Sequence, residues 1–374
     1  MPSELIATAP RTPAFRDYED LPLEANQIRV RTELASPKHG TELVMYRGDP
    51  VAMRRYDAEL GAMMPSAGDV SALFPMRLGN MAVGTVMEIG PEVTRFRPGD
   101  RVFGHFPIRE TQTVEETRAD PLPDGLTAEA ALCLDPAVMA LPMRDAGVGL
   151  GDRVAVFGLG AIGLMAVQLA RLAGADWVVA VDPIAHRREV ALALGADAAL
   201  DPSEADGDAG LTIRRLTSEG PRPLTRTVPS VPVVGGYRDE PSQSGQLGVD
   251  VAVECSGNSQ ALHQAIRATR FGGAVAVVSF YGREASGLHL GAEFHINQLA
   301  LVSVRAQSLP LRDNPGWDLR RLVEVALAWL ASGRLRADGI LTPIVPFDQA
   351  VEAYREIDEH PERSIKLGIR FPSA

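Results

Sequence analysis

"GDRVAVFGLGAIGLMAVQLARLAGA", Gly151–Ala175, runs three kinds of local sequence together without a break. Its opening "RVAVF" is a short apolar run, the pattern of a strand buried on both faces. The middle, "GLGAIG", sets glycines at 158, 160 and 163. Beyond Gly163 the apolar residues recur at helical spacing, so the stretch predicts strand, glycine turn and helix in that order. Gly158 allows the tight turn, Gly160 lets the backbone come close to a pyrophosphate, and Gly163 lets helix and strand pack closely. The helix then opens at Ala161 and Ile162 with free N–H groups and the positive end of its dipole, which suits phosphate.

The context strengthens the motif. "DWVVAVD" is the next apolar strand, and its last residue, Asp182, stands nineteen positions after Gly163. A carboxylate there accepts hydrogen bonds from adenosine ribose hydroxyls and repels a 2′-phosphate, so the expected cofactor is NAD, with NADP the less favoured alternative. Arg187 and Arg188 come soon after and offer the one feature that would accommodate the extra phosphate.

The alternation continues outward. "HRREVALALGAD" predicts a helix, "DAAL" a short strand, "VDVAVECSG" and "GGAVAVVSFYG" two further buried strands, and "QALHQAIRATR" the helix between them. Continuous apolar strands alternating with helices imply a doubly wound parallel sheet covered on both faces. Residues 218–248 interrupt it with five prolines and no helical period, and read as an insertion. Upstream the character differs. "QIRVRTELA" alternates as a half-buried strand should, and "GTVMEIG" and "RPGDRVFGHF" add β segments punctuated by Pro and Gly. Downstream, "LRRLVEVALAWLASGRL" and "DQAVEAYREIDEH" read as helices, with strands in "ILTPIVPF" and "SIKLGIRF".

Composition narrows the classes. The chain has 374 residues, long for a single core, so two domains are expected. A net charge of −11 with no concentrated basic face argues against a nucleic-acid partner. Two cysteines, Cys133 and Cys255, supply neither a disulfide framework nor a four-cysteine zinc lobe, and both read as buried small hydrophobes. The start of the chain has no basic and apolar signal pattern, and no run reads as a membrane span, so a cytoplasmic setting is expected.

On "GNMAVGTVMEIG", "RFRPGDRVFG", the opening stretch, "VDPIAHRREVALALGAD", "VDVAVECSG" and "RSIKLGIRF", the chain resembles the medium-chain dehydrogenase/reductase superfamily, in its alcohol and polyol dehydrogenase group. "SPKHGTELVMYRG" and "LHLGAEFHINQLALVSVRAQ" are most similar to the branch related to bacteriochlorophyllide dehydrogenase. The resemblance implies an α/β fold. A GroES-like, β-rich catalytic domain would comprise residues 1–137 and 307–374. A Rossmann domain would occupy 138–306, carrying the insertion at 218–248. It further implies that Arg187 lies against the adenosine, that Ser256, Val278, Ser279 and Phe280 border the nicotinamide half, and that Lys366 reaches the pyrophosphate. A small-molecule substrate and a homodimer, or a higher homo-oligomer, are implied as well.

Zinc-dependent members draw their first metal ligand from a cysteine at the position of His39 and their second from a histidine at the position of Asn80. The third, an acid in polyol dehydrogenases, corresponds to Asp135. Zinc needs three good N, S or O ligands, and Asn80 and Met81 are poor ones, so no metal is expected; the alternative is an unorthodox site in which His105 or Glu42 joins His39 and Asp135. His39 is then the natural proton-transfer group, with Asp135 to orient it. Thr41 matches a relay hydroxyl, and Lys38 is the alternative acid. An equal alternative for His39 is to hold its loop by bonding backbone. The expected reaction is hydride transfer between NAD and a secondary alcohol or ketone, with a polyol, cyclitol or sugar-like substrate. The alternatives are a zinc-less quinone or enoyl reductase and a non-catalytic NAD(H)-binding relative.

Overall fold

The computed structural model describes residues 1–65, 68–204, 207–219, 247–282 and 284–372. Most of the 218–248 insertion therefore lies outside the described residues. The chain forms two compact units, Met1–Asp135 with Leu327–Ala374, and Pro136–Ala326.

The first unit is built on strands, and its main sheet has a mixed order. Asp120–Pro121, Arg101–Gly104, Met81–Ile89, Gln27–Ser36, Lys366–Arg370 and Leu341–Pro346 lie side by side, with Thr111–Glu115 also pairing on Gln27–Ser36. The strand Lys366–Arg370 runs antiparallel to Gln27–Ser36, matching Ile369 to Ala35. The C-terminal segment thus enters the same sheet as the first thirty-odd residues. Leu5, Ile28, Val30, Leu367 and Ile369 of the strands share one buried core with Tyr46 and Tyr354 of the helices and with Leu78 and Ile108.

The second unit is the parallel sheet that the opening stretch predicted. Its strands lie in the order Ala198–Leu200, Trp177–Val181, Arg153–Phe157, Val249–Glu254, Thr269–Val277, Ala300–Ser303, and every pair is parallel. Numbered along the unit this is 3-2-1-4-5-6, the dinucleotide-binding order, with its switch point between Arg153–Phe157 and Val249–Glu254. Val154, Ala155, Val156, Val178, Val179, Ala252 and Val253 are fully buried, which explains why these strands read as unbroken apolar runs.

Two features are not evident in the sequence. The helix Ala209–Glu219 covers the sheet and packs on the helix Ser259–Ala268. Its "LTIRRL" carries a weak helical period that the neighbouring prolines obscure. The second unit also ends at Ala326 rather than at residue 306. Residues 307–326 stay with it because Arg144 Nη2 donates to Asn314 Oδ1 at 2.9 Å, Asn314 Nδ2 donates to Asp145 Oδ1 at 2.7 Å, and the Arg144 guanidinium stacks 4.1 Å from the Trp317 ring. Among the described residues no helix is long and apolar enough to cross a membrane.

Candidate functional site: a dinucleotide cradle and a buried amine–carboxylate cluster

In the parallel-sheet unit, the loop after Arg153–Phe157 is fixed by its neighbours. Gly158 has φ +84, and a Cβ there would lie 2.6 Å from Ser256 Cβ, so only glycine lets the two switch-point loops touch. A Cβ on Gly163 would sit 1.8 Å from the Gly158 carbonyl oxygen, which is the close approach of helix to strand. Gly160 differs. Its φ of −70 suits any residue, and nothing in the protein comes within 4 Å of where its Cβ would be. The chain's own packing does not call for a glycine there. The helix Ala161–Leu172 begins without a side-chain cap, leaving first-turn N–H groups facing the same open space. An open cradle beneath uncapped N–H groups fits a pyrophosphate.

The residues expected to line a cofactor are held by the following contacts. Asp182, 3% exposed, accepts the Leu159 N–H at 2.7 Å through Oδ2 and the Ile184 N–H at 2.9 Å through Oδ1, tying the end of the second strand to the glycine loop. Arg187 Nη1 stands 3.8 Å from Asp182 Oδ2, and Arg188 Nη1 bridges the Asp182 carbonyl and Asp201. Ser256 is exposed beside Gly158, and a Cβ on Gly257 would meet the Phe280 carbonyl oxygen at 3.3 Å and Ser279 Cβ at 3.7 Å. Val278 N–H donates to the Glu254 carbonyl at 3.0 Å. These contacts bring Ser256, Val278, Ser279 and Phe280 together at the carboxyl ends of the strands.

Sequence reasoning missed Glu254 and Tyr281. Glu254 is fully buried, and its carboxyl gathers the Ser256 N–H at 2.7 Å together with the Ser256 and Tyr281 hydroxyls. Burial raises this carboxyl above its ordinary range, although the Ser256 and Tyr281 hydrogen bonds pull the other way. A glutamate closing an otherwise apolar strand was the available signal.

In the strand-rich unit, a second polar cluster forms around "SPKHGTE". Lys38 Nζ donates to Asp135 Oδ1 at 3.0 Å, with the Asp135 side chain 8% exposed. His39 receives the Leu367 N–H on its Nε2 at 3.0 Å, so this lone pair serves the backbone of the C-terminal strand, the loop-holding alternative given for it above. Thr41 is exposed at the start of the short helix Thr41–Tyr46. Lys366, expected at the pyrophosphate, belongs to this unit. It is 4% exposed and donates to the Pro37 carbonyl at 3.1 Å. Desolvation lowers the pKa of this amine, against the opposing pull of Cys133, Asp135 and Glu42.

Glu42 is the anchor of the cluster. Its carboxylate accepts the Gly79 N–H at 2.8 Å, the Tyr354 hydroxyl at 2.6 Å and the Lys38 N–H at 3.2 Å. Burial drives its pKa up in spite of these donors. Asn80 comes directly after Gly79, its N–H bonded to the Ser36 carbonyl at 2.9 Å. Cys133 is fully buried alongside, and burial pushes its thiol up to about 12, consistent with an inert packing residue. Among the described residues, no group of three or more His, Cys, Asp or Glu is arranged to hold a metal ion.

Comparison with known proteins agrees with both units. The family described as "Alcohol dehydrogenase GroES-like domain" matches residues 39–145, and "Zinc-binding dehydrogenase" matches residues 161–320. The chain is 37% identical over 377 aligned positions to the D-guloside 3-dehydrogenase of Escherichia coli (strain K12), covering 98% of this chain and 99% of that protein. It is 28% identical to the sorbitol dehydrogenase of Gallus gallus over 77% of this chain and 78% of that one. The crystal structure of 2R,3R-butanediol dehydrogenase from Bacillus subtilis superimposes with a TM-score of 0.71 at 22% identity, covering all of both chains, a likeness of fold. With a GroES-like unit, a 3-2-1-4-5-6 dinucleotide sheet and a full-length dehydrogenase relative, the chain belongs to the medium-chain dehydrogenase/reductase superfamily and is an oxidoreductase of its alcohol dehydrogenase group.

Proposed function

We propose that the protein transfers hydride between NAD and a secondary hydroxyl of a sugar-like substrate without a catalytic metal. The substrate class rests on the full-length similarity to a guloside 3-dehydrogenase, supported by similarity to a sorbitol dehydrogenase. The preference for NAD rests on Asp182, whose buried carboxylate ends the second strand where the ribose hydroxyls of the adenosine would bind. Gly158, Gly160, Ala161, Ile162 and Gly163 would hold the pyrophosphate, with Arg187 against the adenosine and Ser256 and Val278–Phe280 beside the nicotinamide. Lys366 takes a different part from the one the resemblance implied, as a buried amine that braces the Pro37 carbonyl beside Lys38.

The observation that carries the metal-independent chemistry is the 3.0 Å contact of Lys38 Nζ with Asp135 Oδ1. At the three positions where zinc-dependent relatives have ligands, this chain offers a poor donor set. The Asp135 carboxylate faces an ammonium, the His39 Nε2 lone pair accepts a backbone N–H, and Asn80 presents a carboxamide. These residues do not fit a tetrahedral zinc.

Proton movement then falls to the chain's own groups. When bound, NAD supplies the hydride acceptor. In oxidation Lys38 first gives a proton to solvent; as the substrate C–H bond then gives up its hydride, the hydroxyl proton passes to the neutral Lys38 amine and the carbonyl forms. In reduction the Lys38 ammonium returns that proton to the developing alkoxide. Asp135 fixes the amine and stabilises its charged form. His39 holds the loop on the C-terminal strand, and Thr41, at the solvent side, passes the proton outward. The outermost parallel strand, Ala300–Ser303, leaves an open edge that a second copy would cover in a homodimer.

The test is absorbance at 340 nm with methyl D-gulosides and a polyol panel, using NAD⁺ and NADP⁺ in turn, on protein whose metal content is measured before and after chelation. Turnover with NAD⁺ that survives chelation is the expected result. Turnover that depends on one zinc per chain would overturn the metal-free mechanism, and activity only with NADP⁺ would overturn the assignment of Asp182.

A further inference from the structure

Asn80 follows the strand-rich unit's Gly79 and precedes the strand Met81–Ile89. Both sides of its backbone are pinned. Gly79 before it has φ +115, donates to Glu42, and would clash with the Ile108 nitrogen at 2.5 Å if it carried a Cβ. The Asn80 N–H is bonded to Ser36, and its carbonyl lies 3.2 Å from His105 Nδ1. Met81 next to it is 1% exposed and pairs with Ser36 in the sheet. The side chain therefore has one fixed origin, next to the segment that carries Lys38 and His39. Its Nδ2 is nevertheless buried without a hydrogen-bond partner among the described residues.

An amide N–H withdrawn from water without an acceptor is costly, and native structures rarely keep one unless something outside the chain completes it. Leucine or methionine would fill the same space without that penalty. The backbone around Asn80 gives no structural duty to the amide group, since its hydrogen bonds are made by main-chain atoms.

We propose that Asn80 Nδ2 is a substrate-positioning donor, hydrogen-bonded to a hydroxyl or ring oxygen of the bound sugar-like substrate. The inference rests on the sugar-like substrate proposed above. At this position a carboxamide reads an oxygen acceptor and takes no part in proton transfer. It selects substrates bearing an oxygen next to the reacting carbon over simple secondary alcohols, because those without one leave the donor unsatisfied.

The test compares wild-type protein with Asn80→Ala and Asn80→Asp, using methyl D-guloside and NAD⁺, with NADH titration and thermal melting on each. Asn80→Ala is expected to raise the KM for the glycoside about tenfold while kcat and NADH affinity stay within about threefold. Asn80→Asp, which has no N–H to give, is expected to raise it as well. Removing an unsatisfied donor should leave the melting temperature of the free protein unchanged or higher, whereas a structural hydrogen bond would lower it. Wild-type KM in both variants would overturn the inference and leave the substrate reading standing. So would a lower melting temperature accompanied by parallel losses in glycoside and NADH affinity. Wild-type protein inert toward every glycoside and polyol would overturn both together.

Discussion

Lys38 Nζ and Asp135 Oδ1 are 3.0 Å apart although 97 residues separate them in the chain. In the reading proposed above, this pair supplies what proton transfer needs: a basic group and a fixed counter-charge.

Replacing the amine should therefore be felt in chemistry before binding. Lys38→Met is expected to lower kcat by roughly 10²–10⁴ with little change in NADH affinity, the usual range for losing a general acid or base. Lys38→Arg keeps the cation but not a proton it can give up, and should be nearly as impaired. Steady-state kinetics beside an NADH fluorescence titration decide the matter. Full activity in Lys38→Arg would reduce the role of Lys38 to electrostatics.

The two glycines of the cradle should fail in opposite ways. A Cβ at Gly163 would fall 1.8 Å from the Gly158 carbonyl, so Gly163→Ala should destabilise the fold by about 1–3 kcal/mol. A Cβ at Gly160 meets no protein atom, so Gly160→Ala should melt like the wild type and weaken NADH binding by about tenfold or more. Calorimetric melting and fluorescence titration of both variants separate the two roles. Equal NADH affinity in Gly160→Ala would show that the open space is not where the pyrophosphate lies.

Glu254 should leave a signature in the pH dependence of stability. Its folded pKa is raised above the ordinary 4.5 by burial, so the folded state holds this proton more tightly than the unfolded chain does. The stability it contributes is complete below about pH 4.5 and is lost as pH rises through the raised value. Glu254→Gln cannot ionise, and its unfolding free energy should fall less steeply than the wild type's from pH 4.5 upward. Denaturant melts across that window measure the difference. Identical slopes would mean that folding does not change the proton occupancy of this carboxyl.

The dinucleotide unit is legible in the sequence because its signals are local. Gly158, Gly160, Gly163 and Asp182 occupy a single strand–turn–helix–strand stretch, where spacing alone implies geometry. The same holds for the apolar strands, whose unbroken runs match their burial in a parallel sheet. The helix Ala209–Glu219 is hard to read because its weak period sits beside a proline-rich segment. The extent of the second unit is harder still, because long-range bonds from Arg144 and Asp145 to Asn314 hold residues 307–326 there.

The sequence by itself determined the class of fold and the strand, glycine turn and helix of the second unit, since each depends on residue type at fixed spacing. Only the tertiary structure decided which partners these residues take. His39 binds the backbone of Leu367, 328 residues away, and Lys366 reaches Pro37 across 329. Tyr354 closes on Glu42 across 312. Burial then shifts their ionisation: it lowers the pKa of Lys366 and raises that of Glu42. A chain read in order cannot show this, because desolvation and hydrogen-bond pairing belong to neighbours in space, and those exist only once the C-terminal strand has joined the first sheet.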